Sequence, residues 1–231
     1  MALLDTLTRF DGDVVRNITS LRHSQNLFDD LVPDTGAQSA AVLAEMAVRP
    51  AGRGVIQRGL AYSEAVLYPF TADAIVGSRF ADGTTRAWYG ALDEATALAE
   101  TCYHALQQVL AIEGVEQPVI RHRCVYLVHA AGLFVDVRGK ETGHPELVAN
   151  DYTATQSIGH YLARQGQAGL LYPSARWRDG DCLVTFREDP LGNARVSHYL
   201  TYRIDPVARH VDVERQTGVL HTRLSEGDLR R

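Results

Sequence analysis

The sequence predicts an α+β domain, on three observations. Strand-like segments crowd the C-terminal half, one long amphipathic helix precedes them, and the two types alternate too irregularly for a doubly wound sheet. A chain of 231 residues, 45% hydrophobic and 22% charged, is large enough to enclose a pocket within one core.

The first 50 residues read as polar and irregular, except that residues 37–48, "AQSAAVLAEMAV", have a helix-favouring composition. Pro50, Gly52 and Gly54 then oppose its continuation. Residues 1–54 are therefore expected to form a partly helical N-terminal extension, and residues 55–231 the main domain. Within that domain, residues 86–90 read as a short strand leading into a helix. The helix starts at Asp93, whose carboxylate can accept hydrogen bonds from the free amides of the first turn, and stops before Gly114. Residues 123–128 and 133–137, rich in Val, Tyr and Phe, read as two strands, and residues 154–164 as a second helix closed by Gly166. Residues 169–172, 182–186, 198–204 and 210–215 complete the strands, the last two joined by a turn at Asp205-Pro206.

Several functional classes are excluded. A net charge of -5 gives no basic footprint for direct nucleic-acid binding. Asp5 and Arg9 interrupt the apolar residues at the N-terminus, and no segment approaches the ~20 apolar residues of a membrane helix. The three cysteines, Cys102, Cys124 and Cys182, lack CxxC spacing, so the expected compartment is reducing and cytoplasmic. Nine histidines form neither HxxxH nor HExxH pairs, so no metal is expected. GxGxxG, P-loop and GxSxG motifs are also missing, which argues against a Rossmann dehydrogenase, a kinase and a serine hydrolase.

Projecting the first helix at ~100° per residue places Leu98, Cys102, Ala105, Leu106 and Val109 on a core-facing stripe. Glu100 falls opposite, beside Thr96, Tyr103 and His104. That side is either a solvated face or the wall of a cleft, and periodicity leaves both open. Arg79 sits in a loop between Gly77 and Gly83, where its planar fork of donors could hold a phosphate or carboxylate, or simply face water. Ser174 follows a strand end and reads either as a binding group or as a turn serine bonded to its own backbone.

Taken in order, "GSRF" at 77–80, "WYGALDEATALAE" at 88–100 and "GLLYPSAR" at 169–176 resemble the RES domain family, named for its Arg, Glu and Ser. The match spans roughly residues 55–190, and a weaker block, "DYTATQ" at 151–156, resembles the polar turn before the family's later helix. The resemblance implies a bent mixed β core with flanking helices, similar to ADP-ribosyltransferase toxins. It also implies breakdown of NAD+ at the nicotinamide–ribose bond, with phosphate or water as acceptor, by a toxin of a bacterial toxin–antitoxin pair. NAD+ is then the substrate, inorganic phosphate a possible co-substrate, and an antitoxin with a helix-turn-helix DNA-binding domain the partner. Protein ADP-ribosylation and a non-catalytic nucleotide-binding module are the alternatives.

Carried over by residue, the resemblance makes Arg79, Tyr89 and Glu100 the catalytic set, with Ser174 and Thr153 contacting substrate. Glu100 would hold a ribose hydroxyl and stabilise the developing oxocarbenium charge, Tyr89 would pack on nicotinamide or ribose, and Arg79 would pair with the pyrophosphate or an incoming phosphate. The family's additional upstream arginine has no counterpart at Pro69-Phe70-Thr71, and Arg58 is the substitute the sequence offers.

Overall fold

The computed structural model describes residues 2–20, 63–71, 77–216 and 218–229. It contains strands β1 (Leu7–Thr19), β2 (Trp88–Ala91), β3 (Val119–Asp136), β4 (Gly169–Pro173), β5 (Asp181–Thr185), β6 (Leu191–Asp205), β7 (His210–Gln216) and β8 (Val219–Ser225). The α-helices are α1 (Tyr68–Thr71, continuing a π turn at Ser63–Leu67), α2 (Glu94–Leu110) and α3 (Thr153–Arg164). The α+β class is thus observed. No helix among the described residues is long and apolar enough to cross a membrane.

All eight strands belong to one mixed sheet in the order β1-β2-β5-β4-β3-β6-β7-β8, and a further β1–β3 pairing closes the first five into a ring. Only β3–β4 is parallel. β1 and β3 pair antiparallel along their length, from Leu7↔Val135 to Thr19↔Arg123. By contrast β1 meets β2 at one residue pair, Val15↔Ala91, so the ring opens as a fork there.

Alternation along the strands builds two apolar layers. Val14, Trp88, Leu183, Leu171, Val128 and Phe134 form one of them, with Ala65 and Val66 packed against it and the Trp88 indole N–H donating to the Ala65 carbonyl at 2.6 Å. Their strand neighbours Val15, Ala91, Cys182, Val184, Leu170 and Val135 form the other, against Leu98, Cys102, Ala105, Leu106 and Val109 of α2. The predicted core stripe of α2 is therefore buried as expected.

Two expectations are corrected. Residues 7–19 are not an irregular extension but a 13-residue strand of the sheet. Its Thr, Arg, Asp and Asn residues look polar in sequence because most of the strand is only half-covered. The expected helix at residues 37–48 lies outside the described residues. The two strands expected at 123–128 and 133–137 are one, since Ala130, Ala131 and Gly132 are held in the ladder by partners on both flanks: Ala130 by Leu191, Ala131 by Asp11 and Gly132 by Phe10. Pairing on two sides overrides the weak strand preference of Ala and Gly.

The expected start of α2 is observed. Asp93 Oδ1 accepts from the Thr96 amide at 2.8 Å and Oδ2 from the Thr96 hydroxyl at 2.7 Å. Asp93→Ala should lower stability by about 1 kcal/mol, seen as a lower midpoint in urea with an unchanged slope.

Candidate active site

A cleft of about 460 Å³ opens at the β1–β2 fork. Its walls are Arg16 and Asn17 of β1, the 77–79 loop, Tyr89 of β2, and Glu100, Thr101 and His104 of α2; Tyr152, Tyr172 and Cys182 complete it. The structure thus brings Arg79, Tyr89 and Glu100 together, although they come from a loop, a strand and a helix. The Glu100 side of α2 is a cleft wall, which decides between the two readings that periodicity allows.

Glu100 is held asymmetrically. Its Oε1 accepts from the Ser174 hydroxyl at 2.6 Å and from the Ala175 amide at 3.0 Å. Its Oε2 has no hydrogen-bond partner among the described residues, so one oxygen orients the carboxylate and the other is available to a ligand. Ser174 is fully buried and its Oγ also accepts from the amides of Arg176 and Trp177, at 3.1 and 3.0 Å. An oxygen so committed is a positioning group for Glu100, and its geometry does not suit a nucleophile.

Tyr89 and Arg79 are likewise used to build the wall. The Tyr89 hydroxyl accepts the Phe80 amide at 2.9 Å and bonds the Ser78 hydroxyl at 2.8 Å. Burial pushes its pKa up to about 12, so the phenol stays protonated. Arg79 Nη1 donates to the carbonyls of Leu147 and Ala149, at 3.1 and 2.8 Å, and the guanidinium lies 4.8 Å from the Tyr152 ring centroid. These bonds leave its other nitrogens to a ligand while fixing the plane of the fork. From α3, Gln156 Nε2 donates to the carbonyls of Ser78 and Ala81, at 3.1 and 3.3 Å.

Arg16 was not singled out by sequence reasoning. Its Nη1 donates to the Tyr89 carbonyl and its guanidinium lies 5.3 Å from the Trp88 ring centroid, so it spans the fork where the backbone ladder stops. Burial, with Arg123 nearby, lowers its pKa to about 10, which still leaves it charged at neutral pH. Its Nε is buried with no partner among the described residues. Recognising residues 7–19 as a strand is the signal that could have found it. Arg58, the substitute cation suggested by the sequence, lies outside the described residues. Thr153 is exposed at the start of α3, where its amide and hydroxyl donate to Asp151 Oδ1 at 2.9 and 2.7 Å, and it lines a separate groove with Asp82 and His160.

Behind the cleft, Asn17 Nδ2 donates to the Tyr202 hydroxyl at 2.7 Å and to Thr101 Oγ1 at 3.1 Å, while Arg123 Nε donates to Asn17 Oδ1 at 3.1 Å. This network ties the helix turn beside Glu100 to β1. Burial pushes Tyr172 and Cys182 well above their ordinary values, and Glu100 adds in the same direction, so both remain neutral at the cleft floor. Among the described residues, no group of three or more His, Cys, Asp or Glu side chains could hold a metal ion.

Fold and site together define an α+β protein with an arginine-walled cleft around one oriented carboxylate. A family model for the RES domain matches residues 53–205, and the chain belongs to that family. A chain of the crystal structure of the M. tuberculosis MbcT-MbcA toxin-antitoxin complex is similar at 13% identity and a TM-score of 0.46, covering 87% of this chain and 88% of that one. No curated protein sequence matches significantly.

The clamp from α3 is testable. A Cβ on Gly159 would sit 1.9 Å from the Phe80 carbonyl oxygen. Alanine normally gains about 1 kcal/mol over glycine inside a helix, but overpacking against backbone costs about 1–3 kcal/mol. Gly159→Ala should therefore destabilise the protein in thermal unfolding, opposite to its helix propensity. Tyr89→Phe leaves the Phe80 amide short of its acceptor and should cost about 1–3 kcal/mol in the same measurement.

Proposed function

We propose that this chain is an NAD+-consuming toxin of a bacterial toxin–antitoxin pair, cleaving the nicotinamide–ribose bond with phosphate or water as acceptor. The observation that carries the reading is the half-committed Glu100 carboxylate, with Oε1 fixed by Ser174 and Ala175, in a cleft shared with Arg16 and Arg79. Membership of the RES family supports it. On the same reading, the bent sheet with β1 and β2 forking over the cleft is an ADP-ribosyltransferase-toxin-like core.

The chemistry follows from the leaving group. Nicotinamide departs from NAD+ as a neutral molecule, because the ring nitrogen already carries positive charge and takes up the bonding electron pair. No general acid is needed. What the reaction does need is a negative group beside the ribose as its C1′ becomes oxocarbenium-like, held so that it does not have to reorganise. Glu100 Oε2 supplies that charge and accepts from a ribose hydroxyl. Arg16 and Arg79 oppose the pyrophosphate, and Arg79 is also placed to hold an incoming phosphate. Tyr89 acts through its hydroxyl, by holding the loop that carries Arg79, and presents its ring to the cleft. A cognate antitoxin with a helix-turn-helix DNA-binding domain is the proposed partner.

Mass spectrometry of NAD+ and its products, with and without phosphate, tests this reading. Glu100→Gln should reduce consumption at least 100-fold while retaining the fold by circular dichroism; turnover equal to the parent's overturns the assignment. Ser174→Ala should lower kcat by roughly 10-fold to 100-fold with a smaller change in KM, since it misaligns Glu100 without removing it.

A further inference from the structure

His104 stands in the cleft without a part in the chemistry described so far. It follows Glu100 by one helical turn on the same wall of α2, a spacing that puts the two Cβ atoms about 6 Å apart. Its ring packs edge-on against Tyr103, with centroids 5.4 Å apart, and it is exposed at the mouth. Its nitrogens have no hydrogen-bond or ion-pair partner among the described residues. A histidine beside an oriented carboxylate, with ring nitrogens free and a path to solvent, has the placement of a proton acceptor.

The charged groups around it set its protonation. Glu100 lies on its own helix, Arg79 on the 77–81 loop, and Arg176 follows β4, with its guanidinium 3.4 Å from the Tyr103 ring centroid. Desolvation holds the imidazole below its ordinary 6.5, and Arg176 and Arg79 act in the same direction against the opposing pull of Glu100. The ring is therefore neutral at pH 7, as a base must be.

Building on the proposed NAD+ cleavage, we infer that His104 is a further catalytic residue, the base that takes the proton of an attacking water. The C1′–N bond breaks and its electron pair goes to the pyridinium nitrogen, releasing neutral nicotinamide. A lone pair of the water oxygen forms the new C1′–O bond, and the water proton passes to the His104 imidazole, which returns it to solvent at the cleft mouth. Phosphate at neutral pH already presents deprotonated oxygens and has less need of such a base. His104 thus equips this cleft for hydrolysis.

The test measures NAD+ consumption across pH in phosphate-free and phosphate-containing buffer, for the parent, Glu100→Gln, His104→Ala and His104→Gln. The parent should turn over NAD+ without phosphate, with an acid limb lying below the ordinary imidazole range as His104 protonates. Both His104 variants should lose roughly 100-fold of the phosphate-free rate and this acid limb, should lose less with phosphate present, and His104→Ala should recover part of its rate with added imidazole. Unchanged pH profiles, or His104→Ala losing activity equally in both buffers without imidazole rescue, overturn the inference. So does a parent that consumes NAD+ only when phosphate is present. A parent inactive on NAD+ in either buffer overturns the proposed function itself, and this inference with it.

Discussion

The register between β1 and β3 is the constraint on which the cleft depends. It aligns Arg16 with Tyr126 and Asn17 with Val125 along an uninterrupted ladder. A slip of one residue would turn every β1 side chain to the opposite face, exchanging Arg16 for its valine neighbour at the fork and driving a guanidinium into an apolar layer. The cost of that exchange makes the register self-enforcing. Val14 and Val15 belong to opposite apolar layers and specify it from both sides.

Given that register, the site divides its polar groups between holding and acting. Ser174, the Tyr89 hydroxyl, Gln156 and Asn17 are spent on internal bonds. Among the described residues, the unbonded polar atoms this leaves in the cleft include one oxygen of Glu100, nitrogens of Arg16 and Arg79 and the ring nitrogens of His104. Around a single carboxylate, Arg16, Arg79 and Arg176 give the region an excess of positive charge, which favours an anionic ligand with a cationic or developing cationic centre near Glu100. NAD+ has that distribution: an anionic pyrophosphate and a cationic pyridinium. In a partly desolvated cleft such charge complementarity is stronger than on an open surface.

Much of this was legible in the sequence where local chemistry decided the outcome. Asp93 announced the start of α2, the Leu98–Val109 spacing announced its buried face, and Asp205 announced the turn before β7, where its carboxylate accepts the amides of Val207 and Ala208 at 2.9 and 2.8 Å. The ordered blocks around Arg79, Tyr89, Glu100 and Ser174 brought the family into view. What stayed hidden was long-range. Arg16 has no motif neighbour, and its position follows from pairing with a strand more than a hundred residues away. β8 escaped notice because its exposed residues, including Val219 and Leu220, show no clean alternation. The positioning roles of Tyr89 and Ser174 depended on partners that only the fold brings near them, the Phe80 amide for one and the Glu100 carboxylate for the other.

The way the Glu100 carboxylate is held has a consequence for how the molecule comes into being. The hydroxyl and amide that fix Oε1 lie 74 and 75 residues downstream of it, and Asn17 reaches a partner 185 residues away. Contacts of such sequence separation carry a large chain-closure entropy and form late, after the local helix and hairpins. During synthesis α2 can coil as soon as it emerges, but its carboxylate has no fixed direction until the turn after β4 has been made. β1, though first out, waits for β3 before its arginine has a fork to span. The cleft is thus completed only after its distant parts, as far along the chain as Tyr202, have been made, and a shorter polypeptide carries Glu100 and Arg16 without the arrangement that orients them.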